Sequence, residues 1–181
     1  MKKPTVINLF GAPGAGKSTC AAQVFCALKK LGVNCELVAE FAKDKTWERN
    51  TKALSCQEYV FGRQSYRLAR CRDDVDFIVT DSPLPLSIIF NSNPAIAKSF
   101  PSVVMDVFNT YNNINFFINR ATPYDPTGRN QTEAESDHIS ARVQELCYER
   151  EIHYEVIDGN DEGYQYIVDR VIGLLQKDEA V

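Results

Sequence analysis

The stretch Gly11–Ser18 constrains this chain more than any other, because it matches the pattern G-x-x-x-x-G-K-[ST] in full. Residues 5–10 before it form an apolar run typical of a buried strand, and residues 19–31 after it carry apolar side chains at helical spacing. A strand, a glycine-rich loop and a helix in this order are the structural context of a phosphate-binding loop (P-loop). We therefore expect the chain to bind a nucleoside triphosphate.

Each residue type in this loop has a physical role. Glycines let the backbone curl closely around an anion, and the N–H groups at the start of the helix favour negative charge. Lys17 is expected to reach the outer phosphates and the Ser18 hydroxyl to bind Mg²⁺. The residues expected to contact the nucleotide are Gly11, Ala12, Pro13, Gly14, Ala15, Gly16, Lys17, Ser18 and Thr19.

Length and composition favour one compact α/β domain over residues 1–181, with a lid loop at about residues 120–131. The net charge of −4 is not typical of a protein that binds duplex nucleic acid. A local basic groove is still compatible with this value, because net charge does not show how the charges are distributed. No apolar run approaches the roughly 20 residues that span a bilayer, and we expect a cytoplasmic protein without a signal peptide. Six cysteines without a C-x-x-C pair favour reduced thiols.

Five short apolar runs alternate with helical periodicity along the chain. This alternation predicts the P-loop NTPase fold, a five-stranded parallel sheet with helices on both faces. The predicted strands are residues 5–10, 33–39, 76–81, 115–119 and 154–157. The predicted helices are residues 19–31, 55–72, 132–150 and 164–176, with further short helices between residues 86 and 109.

Capping-box patterns open two of these helices. Ser55 with Glu58 predicts one helix start, and Thr132 with Glu135 predicts the other. Residues 40–50 are polar and charged, which is typical of a loop, and a helical turn within it is the alternative.

The loop at residues 120–131 is rich in proline and glycine, and Arg120 and Arg129 flank it. Phosphoryl transfer spreads charge over three oxygens, which cationic groups on a closing lid stabilise. We expect both arginines to be catalytic residues that the lid brings to the phosphates. The alternative is a surface loop whose arginines contact only solvent.

Two carboxylates follow predicted strands, Glu40 after the second and Asp81 after the third. Ligands of open α/β sheets bind outside the carboxyl ends of strands, so both carboxylates are candidate catalytic residues. Asp81 could bind Mg²⁺, accept the proton of an attacking hydroxyl, or only cap a helix. Glu40 could deprotonate an acceptor hydroxyl, or be a loop residue paired with Lys43 or Lys45. Which carboxylate is the base stays open.

Two further residues are candidates for binding an acceptor. Trp47, the only tryptophan, could stack on a base or anchor its own loop. The Gln64 amide could hydrogen-bond a base edge, although a solvated glutamine is the commoner case.

With these residues the chain resembles the P-loop nucleoside and nucleotide kinases, above all small bacteriophage-encoded kinases related to the ribosylnicotinamide kinase domain. The likeness is carried by Gly11–Ser18, Glu40–Asp44 with Trp47, Tyr59–Gln64, Thr80–Pro83 and Pro123–Gln131. It implies a kinase with ATP as donor, a lid, and an acceptor site of Glu40, Phe41, Trp47 and Gln64. In the related deoxynucleoside kinases a strand-end Glu activates the 5′-hydroxyl, and a Trp and a Gln line the base pocket. Those enzymes carry Glu-Arg-Ser at the third strand, where this chain has Thr80-Asp81-Ser82.

Other functions compete with a kinase of small nucleoside-like molecules. A GTPase switch needs an N-K-x-D signature, but the fourth predicted strand leads into Asn119-Arg120. A mechanical AAA-type ATPase normally needs a longer chain, so the length argues against it. A kinase acting on a modified base within DNA, or another P-loop ATPase without kinase activity, stays open as an alternative.

Overall fold

Five parallel strands form one sheet in the order β2-β3-β1-β4-β5 in the computed structural model, which describes residues 3–128 and 130–179. The strands are β1 (Thr5–Phe10), β2 (Cys35–Val38), β3 (Phe77–Thr80), β4 (Asn112–Asn119) and β5 (Glu155–Asp158). The helices are α1 (Lys17–Lys30), α2 (Phe41–Trp47), α3 (Thr51–Leu54), α4 (Gln57–Ala69), α5 (Leu86–Phe90), α6 (Phe100–Phe108), α7 (Glu133–Glu149) and α8 (Asp161–Glu179), with a short 3₁₀ helix at Pro94–Ile96. The predicted fold class is confirmed.

The central strand β1 supplies apolar side chains to both faces of the sheet. Ile7 and Leu9 are buried with the residues of α1 and α8, whereas Val6 and Phe10 are buried with those of α4 to α7. Alternate side chains of a strand point to opposite faces, so each face has its own apolar core. Burial on both faces explains why β1 reads as a continuous apolar run.

The strand order fixes where a ligand can bind. From β1 the chain crosses to β2 at one edge of the sheet, and from β3 it crosses back past β1 to β4. The connections after β1 and β3 therefore lead in opposite directions, which opens a crevice at the carboxyl ends of these two strands. The P-loop follows β1, and Asp81 follows β3.

The prediction of a loop over residues 40–50, with a helical turn as the alternative, is wrong for residues 41–47, which form the two turns of helix α2. Its seven residues are mostly polar, but Phe41 is buried and anchors the helix against α4, where its ring meets that of Tyr59 edge to face at 5.5 Å. Strand β4 also begins earlier than predicted, at Asn112. Asn112 and Asn113 pair with Thr5 and Val6 of β1, and their polar side chains hide the start of the strand in the sequence.

Only one of the two predicted capping boxes forms. The Thr132 hydroxyl accepts the Glu135 N–H, and the Glu135 carboxylate accepts the Thr132 N–H at 2.7 Å. The Ser55 box is wrong, because α4 begins at Gln57 after Cys56. The Ser55 hydroxyl instead donates to the Lys52 carbonyl at the end of α3.

No helix within residues 3–128 and 130–179 is both long and apolar enough to cross a membrane. All six cysteines lie in this part of the chain as free thiols. Burial raises the pKa of Cys20 to about 12 and that of Cys147 to about 11, so both thiols stay protonated at neutral pH.

We predict that Thr132→Ala lowers the free energy of unfolding by about 1 kcal/mol, because it removes an N-cap hydrogen bond at the start of α7. Ser55→Ala is the matched control and should cost clearly less, since Ser55 caps no helix N-terminus. Urea unfolding of both variants and the unmodified protein checks this. Equal losses in the two variants would contradict the assignment.

Candidate active site

The P-loop presents an uncapped helix N-terminus towards the sheet crevice. Gly16, the N-cap of α1, has φ +93°, makes no side-chain cap, and no acidic residue lies in the first helical turn. A side chain at Gly11 is excluded, since its Cβ would lie 2.9 Å from the Ile118 carbonyl oxygen. The first N–H groups of α1 are thus left to bind an anion, as the loop motif predicts.

Lys17 lies inside the loop, where its Nζ donates to the carbonyls of Gly11 and Ala12 at 2.8 Å each. Ser18 bridges the loop to the neighbouring strand, because its hydroxyl donates to Asp81 Oδ2 at 2.6 Å. Asp81 is buried at the end of β3, and its other carboxylate oxygen accepts the Glu40 N–H at 2.9 Å. One carboxylate therefore connects the segments that follow β1, β3 and β2.

Glu40 is half-buried where β2 passes into α2, and its carboxyl lies in the field of several charges. Burial raises its pKa above the usual glutamate value, and the nearby Asp81 adds to this effect. Lys17, and to a smaller extent Lys43, act in the opposite direction. Glu40 is not paired with Lys45, whose ammonium binds Glu48 instead.

These residues surround one cavity of about 220 Å³. Its polar side consists of P-loop residues with Glu40, Lys43 and Asp81. The apolar part of its lining comes from α5 and α7, namely Leu86, Phe90, Ile139 and Val143. A phosphate-binding end and an apolar wall thus share one open cavity, which suits a ligand that carries both a charged group and a ring.

Three of the four residues predicted for the acceptor site do not line this cavity; only Glu40 does. Phe41 is buried beneath the side chains of Lys45, Arg63 and Arg67. Contact of Phe41 with an acceptor stays a prediction.

Gln64 is buried and binds the backbone on either side of Glu40. Its Oε1 accepts the Phe41 N–H at 2.8 Å, and its Nε2 donates to the Ala39 carbonyl at 3.5 Å. In this arrangement the amide holds the Glu40 segment in place. A contact between Gln64 and a base stays a prediction.

Trp47 connects α2 to the predicted lid. The side chain is 62% exposed and packs against Gly128, where an added Cβ would lie 2.7 Å from Trp47 Cζ2. Asn130 donates to the Thr46 hydroxyl at 3.4 Å beside it. Thr127 and Gly128 also line the cavity, so this loop borders the site directly.

Arg120 lies outside the cavity lining that the described residues form. Its guanidinium binds the Glu133 and Asp137 carboxylates and the Ser136 hydroxyl, which in turn donates to the Pro13 carbonyl of the P-loop at 2.6 Å. Arg120 thus fastens the start of α7 to the loop. Arg129 lies outside the described residues, and a catalytic role for either arginine stays a prediction.

The sequence-based interpretation missed Lys43 and the apolar wall. The Lys43 ammonium lies 3.5 Å from Ser18 Oγ and lines the cavity, although its sequence position indicated only a partner for Glu40. The wall combines residues about 50 positions apart, which only the fold brings together.

No group of three or more His, Cys, Asp or Glu side chains among the described residues could hold a metal ion by itself. Ser18 and Asp81 nevertheless present adjacent hydroxyl and carboxylate oxygens beside the P-loop. Mg²⁺ is commonly held by one or two such side chains together with phosphates and water, so this pair fits Mg²⁺.

A family model described as "AAA domain" matches residues 6–163 of the chain. Among solved structures, the chain is similar to deoxyadenosine kinase from M. mycoides, which was determined with the products dCMP and a flexible dCDP. The TM-score is 0.53 and the sequence identity 16%, over 95% of this chain and 99% of that chain. No curated protein matches the chain significantly.

These matches bear on the competing functions in different ways. The family match covers most of the chain, and the expectation that the chain is not a mechanical AAA-type ATPase stays a prediction. The P-loop and this match imply nucleotide binding. The similarity to deoxyadenosine kinase establishes the fold alone at this identity.

We predict that Glu40→Gln makes the protein more stable at neutral pH. Burial raises the Glu40 pKa, so the unfolded chain loses this proton at a lower pH than the folded protein. The free energy of unfolding therefore falls as the pH rises from the ordinary glutamate pKa to the raised pKa of the folded protein. At any pH above the raised pKa, the full loss of stability is present. A neutral glutamine avoids this penalty.

Chemical denaturation at pH 4 and pH 7 measures the difference. Glu145→Gln, an exposed change on α7, is the control for net charge. The gain in Glu40→Gln should be larger at pH 7 than at pH 4 and absent in the control. A loss of stability at pH 7 would contradict the assignment.

Proposed function

The chain belongs to the AAA domain family, and on that premise we propose that it is a kinase that transfers the terminal phosphate of ATP to a hydroxyl of a nucleoside-like acceptor. The observation that carries this proposal is the shared cavity of Glu40 and the P-loop. An ATPase that only hydrolyses nucleotide also needs a residue that activates water, but it has no need of an apolar wall beside that residue. Phosphoryl transfer to an acceptor needs both, because the acceptor must be bound and its hydroxyl deprotonated.

In this proposal Ser18 and Asp81 hold Mg²⁺ and do not exchange protons with the acceptor. Both Asp81 oxygens already accept hydrogen bonds, one from the Ser18 hydroxyl and one from the Glu40 N–H. When bound, Mg²⁺ neutralises charge on the phosphate oxygens. Asp81 also fixes the backbone of Glu40, so the two carboxylates keep a constant relative position.

Glu40 is the general base of the proposed reaction. Its raised pKa is the property expected of a base that takes a proton near neutral pH, because such a base must combine proton affinity with a populated ionised form. The acceptor oxygen bonds to the γ-phosphorus, the bond to the bridging oxygen breaks, and ADP leaves. Glu40 receives the proton of the acceptor hydroxyl.

The apolar wall supports a ring-bearing acceptor. Leu86 and Phe90 of α5 face the same cavity as Ile139 and Val143 of α7. A planar base or a nicotinamide-like ring would remove these side chains from water. The similarity to a kinase whose structure contains deoxycytidine nucleotides supports the same class of acceptor. The relation to ribosylnicotinamide kinases stays a prediction.

The loop at residues 120–131 is the proposed lid. Trp47 packs against Gly128, so closure or opening of this loop would be transmitted to α2, which carries Lys43. Closure would exclude water and limit wasteful hydrolysis. Arg120 and Arg129 remain candidates for stabilising the transferred phosphate.

The proposal is tested with γ-labelled ATP and a panel of nucleosides, nucleoside monophosphates, nicotinamide riboside and DNA with modified bases. We predict that a small nucleoside-like acceptor becomes labelled and that Lys17→Ala abolishes labelling without loss of fold. Lys17→Ala is expected to keep its circular dichroism spectrum, because the Lys17 ammonium donates to loop carbonyls at the helix start and its side chain is not part of either apolar core.

Lys52→Ala on α3 is the control for removing an exposed lysine. Label that appears only in inorganic phosphate, with every acceptor, would contradict the proposal in favour of an ATPase. Label found only on DNA would show that the acceptor is a polymeric nucleic acid and not a small molecule.

A further inference from the structure

Lys43 is a second lysine at the phosphate-binding end of the cavity. It lies on α2, one turn after Glu40, and its Nζ is 3.5 Å from Ser18 Oγ, at the outer limit of a hydrogen bond. Lys17 occupies the interior of the P-loop, whereas Lys43 approaches the loop from helix α2, at Ser18. The two ammonium groups therefore border the same space from different elements.

The charge of Lys43 is not neutralised as those of its neighbours are. On the same helix Lys45 pairs with Glu48, and on α4 Arg67 pairs with Asp44. Lys43 has no carboxylate within ion-pair distance among the described residues, and its closest polar contact is the Ser18 hydroxyl. An exposed cation directed at a phosphate-binding loop is placed to attract an anionic ligand rather than to stabilise the fold.

The position of Ser18 indicates which phosphate Lys43 would meet. In P-loop sites the Ser/Thr hydroxyl binds the metal ion that bridges the outer phosphates. An ammonium beside Ser18 is thus near the outer phosphates and away from the nucleotide base. Glu40 lies one helical turn earlier, so a terminal phosphate at this place would lie close to the proposed base.

We propose that Lys43 is a catalytic residue that binds the γ-phosphate of the donor nucleotide. The inference rests on the proposed function, in which this phosphate passes to the acceptor. Lys43 donates hydrogen bonds to the γ-phosphate oxygens and neutralises the charge that develops on them, and it exchanges no proton. The proton still passes from the acceptor hydroxyl to Glu40, and ADP still leaves with the bridging oxygen.

A purely electrostatic role for Lys43 is the competing explanation. Glu40, Ser18 and Asp81 line the same cavity, and the positive charge of Lys43 favours the ionised form of Glu40. Lys43 would then act on Glu40 as a positioning residue and make no contact with the nucleotide. The two roles predict different measurements: loss of a direct contact weakens binding of the triphosphate far more than binding of ADP, whereas loss of an effect on Glu40 alone shifts the pH profile of turnover and leaves the ratio of the two affinities nearly unchanged.

Calorimetric titration with ADP and with the β,γ-imido analogue of ATP, both with Mg²⁺, tests the proposal without any acceptor. We expect Lys43→Ala to weaken binding of the triphosphate analogue by about tenfold or more, the usual effect of losing a hydrogen bond to a charged group. Binding of ADP should change by less than about threefold, because ADP has no γ-phosphate for Lys43 to bind. Lys43→Arg should retain most of the preference for the triphosphate.

Lys45→Ala is the matched control, because it removes a lysine from the same helix without touching the cavity. It should leave both affinities unchanged. If Lys43→Ala loses its fold, Lys43→Gln keeps the length of the side chain and serves in its place.

An unchanged ratio of the two affinities in Lys43→Ala would overturn the proposal. If the pH profile of turnover shifts at the same time, Lys43 is a positioning residue for Glu40. Failure of the proposed function is a separate result, since the binding ratio is measured without phosphate transfer. If the protein binds the triphosphate through Lys43 and labels no acceptor, the proposed kinase activity is contradicted and the proposed role of Lys43 is not.

Discussion

The hydrogen bond from the Ser18 hydroxyl to Asp81 is the interaction on which the rest of the site depends. It joins the P-loop after β1 to the end of β3, and the second Asp81 oxygen extends the connection to the Glu40 N–H after β2. These three strands are neighbours in the sheet, in the order β2-β3-β1. One buried carboxylate thereby sets the positions of a nucleotide-binding loop and a candidate base relative to each other.

The same arrangement brings charge into a partly buried space, where it is costly unless it is paired. Asp81 is compensated by two hydrogen bonds, whereas the Glu40 carboxyl keeps a raised pKa. Lys17 and Lys43 offset this cost in part, because both favour the ionised form of Glu40. A carboxyl whose pKa is raised by burial, on a backbone segment held in place by Gln64 and Asp81, is a candidate functional group.

The features that the sequence predicted well are those set by local patterns. The P-loop, the strands and the Thr132 cap follow from short motifs and apolar periodicity, and the strand order then brings Asp81 beside Ser18. Helix α2 was missed because its anchoring depends on one buried residue, Phe41, within a polar stretch. The apolar wall and the contact of Lys43 with the loop could not be predicted, since they join elements that only tertiary packing brings together. The sequence also could not show that the Gln64 amide hydrogen-bonds the backbone of residues 39 and 41, because that contact joins two separate helices and a strand end.

The most direct test of the central claim is phosphoryl transfer by Glu40→Gln and Asp81→Asn as a function of pH and of Mg²⁺ concentration. Glu40→Gln should lower kcat by about 10²- to 10⁴-fold, remove the rise of rate with pH and leave the Mg²⁺ requirement unchanged. Asp81→Asn should raise the Mg²⁺ concentration needed for half-maximal rate and retain the rise with pH. The opposite pattern, in which Asp81→Asn removes the pH dependence and Glu40→Gln alters only the Mg²⁺ requirement, would contradict the proposed division of roles.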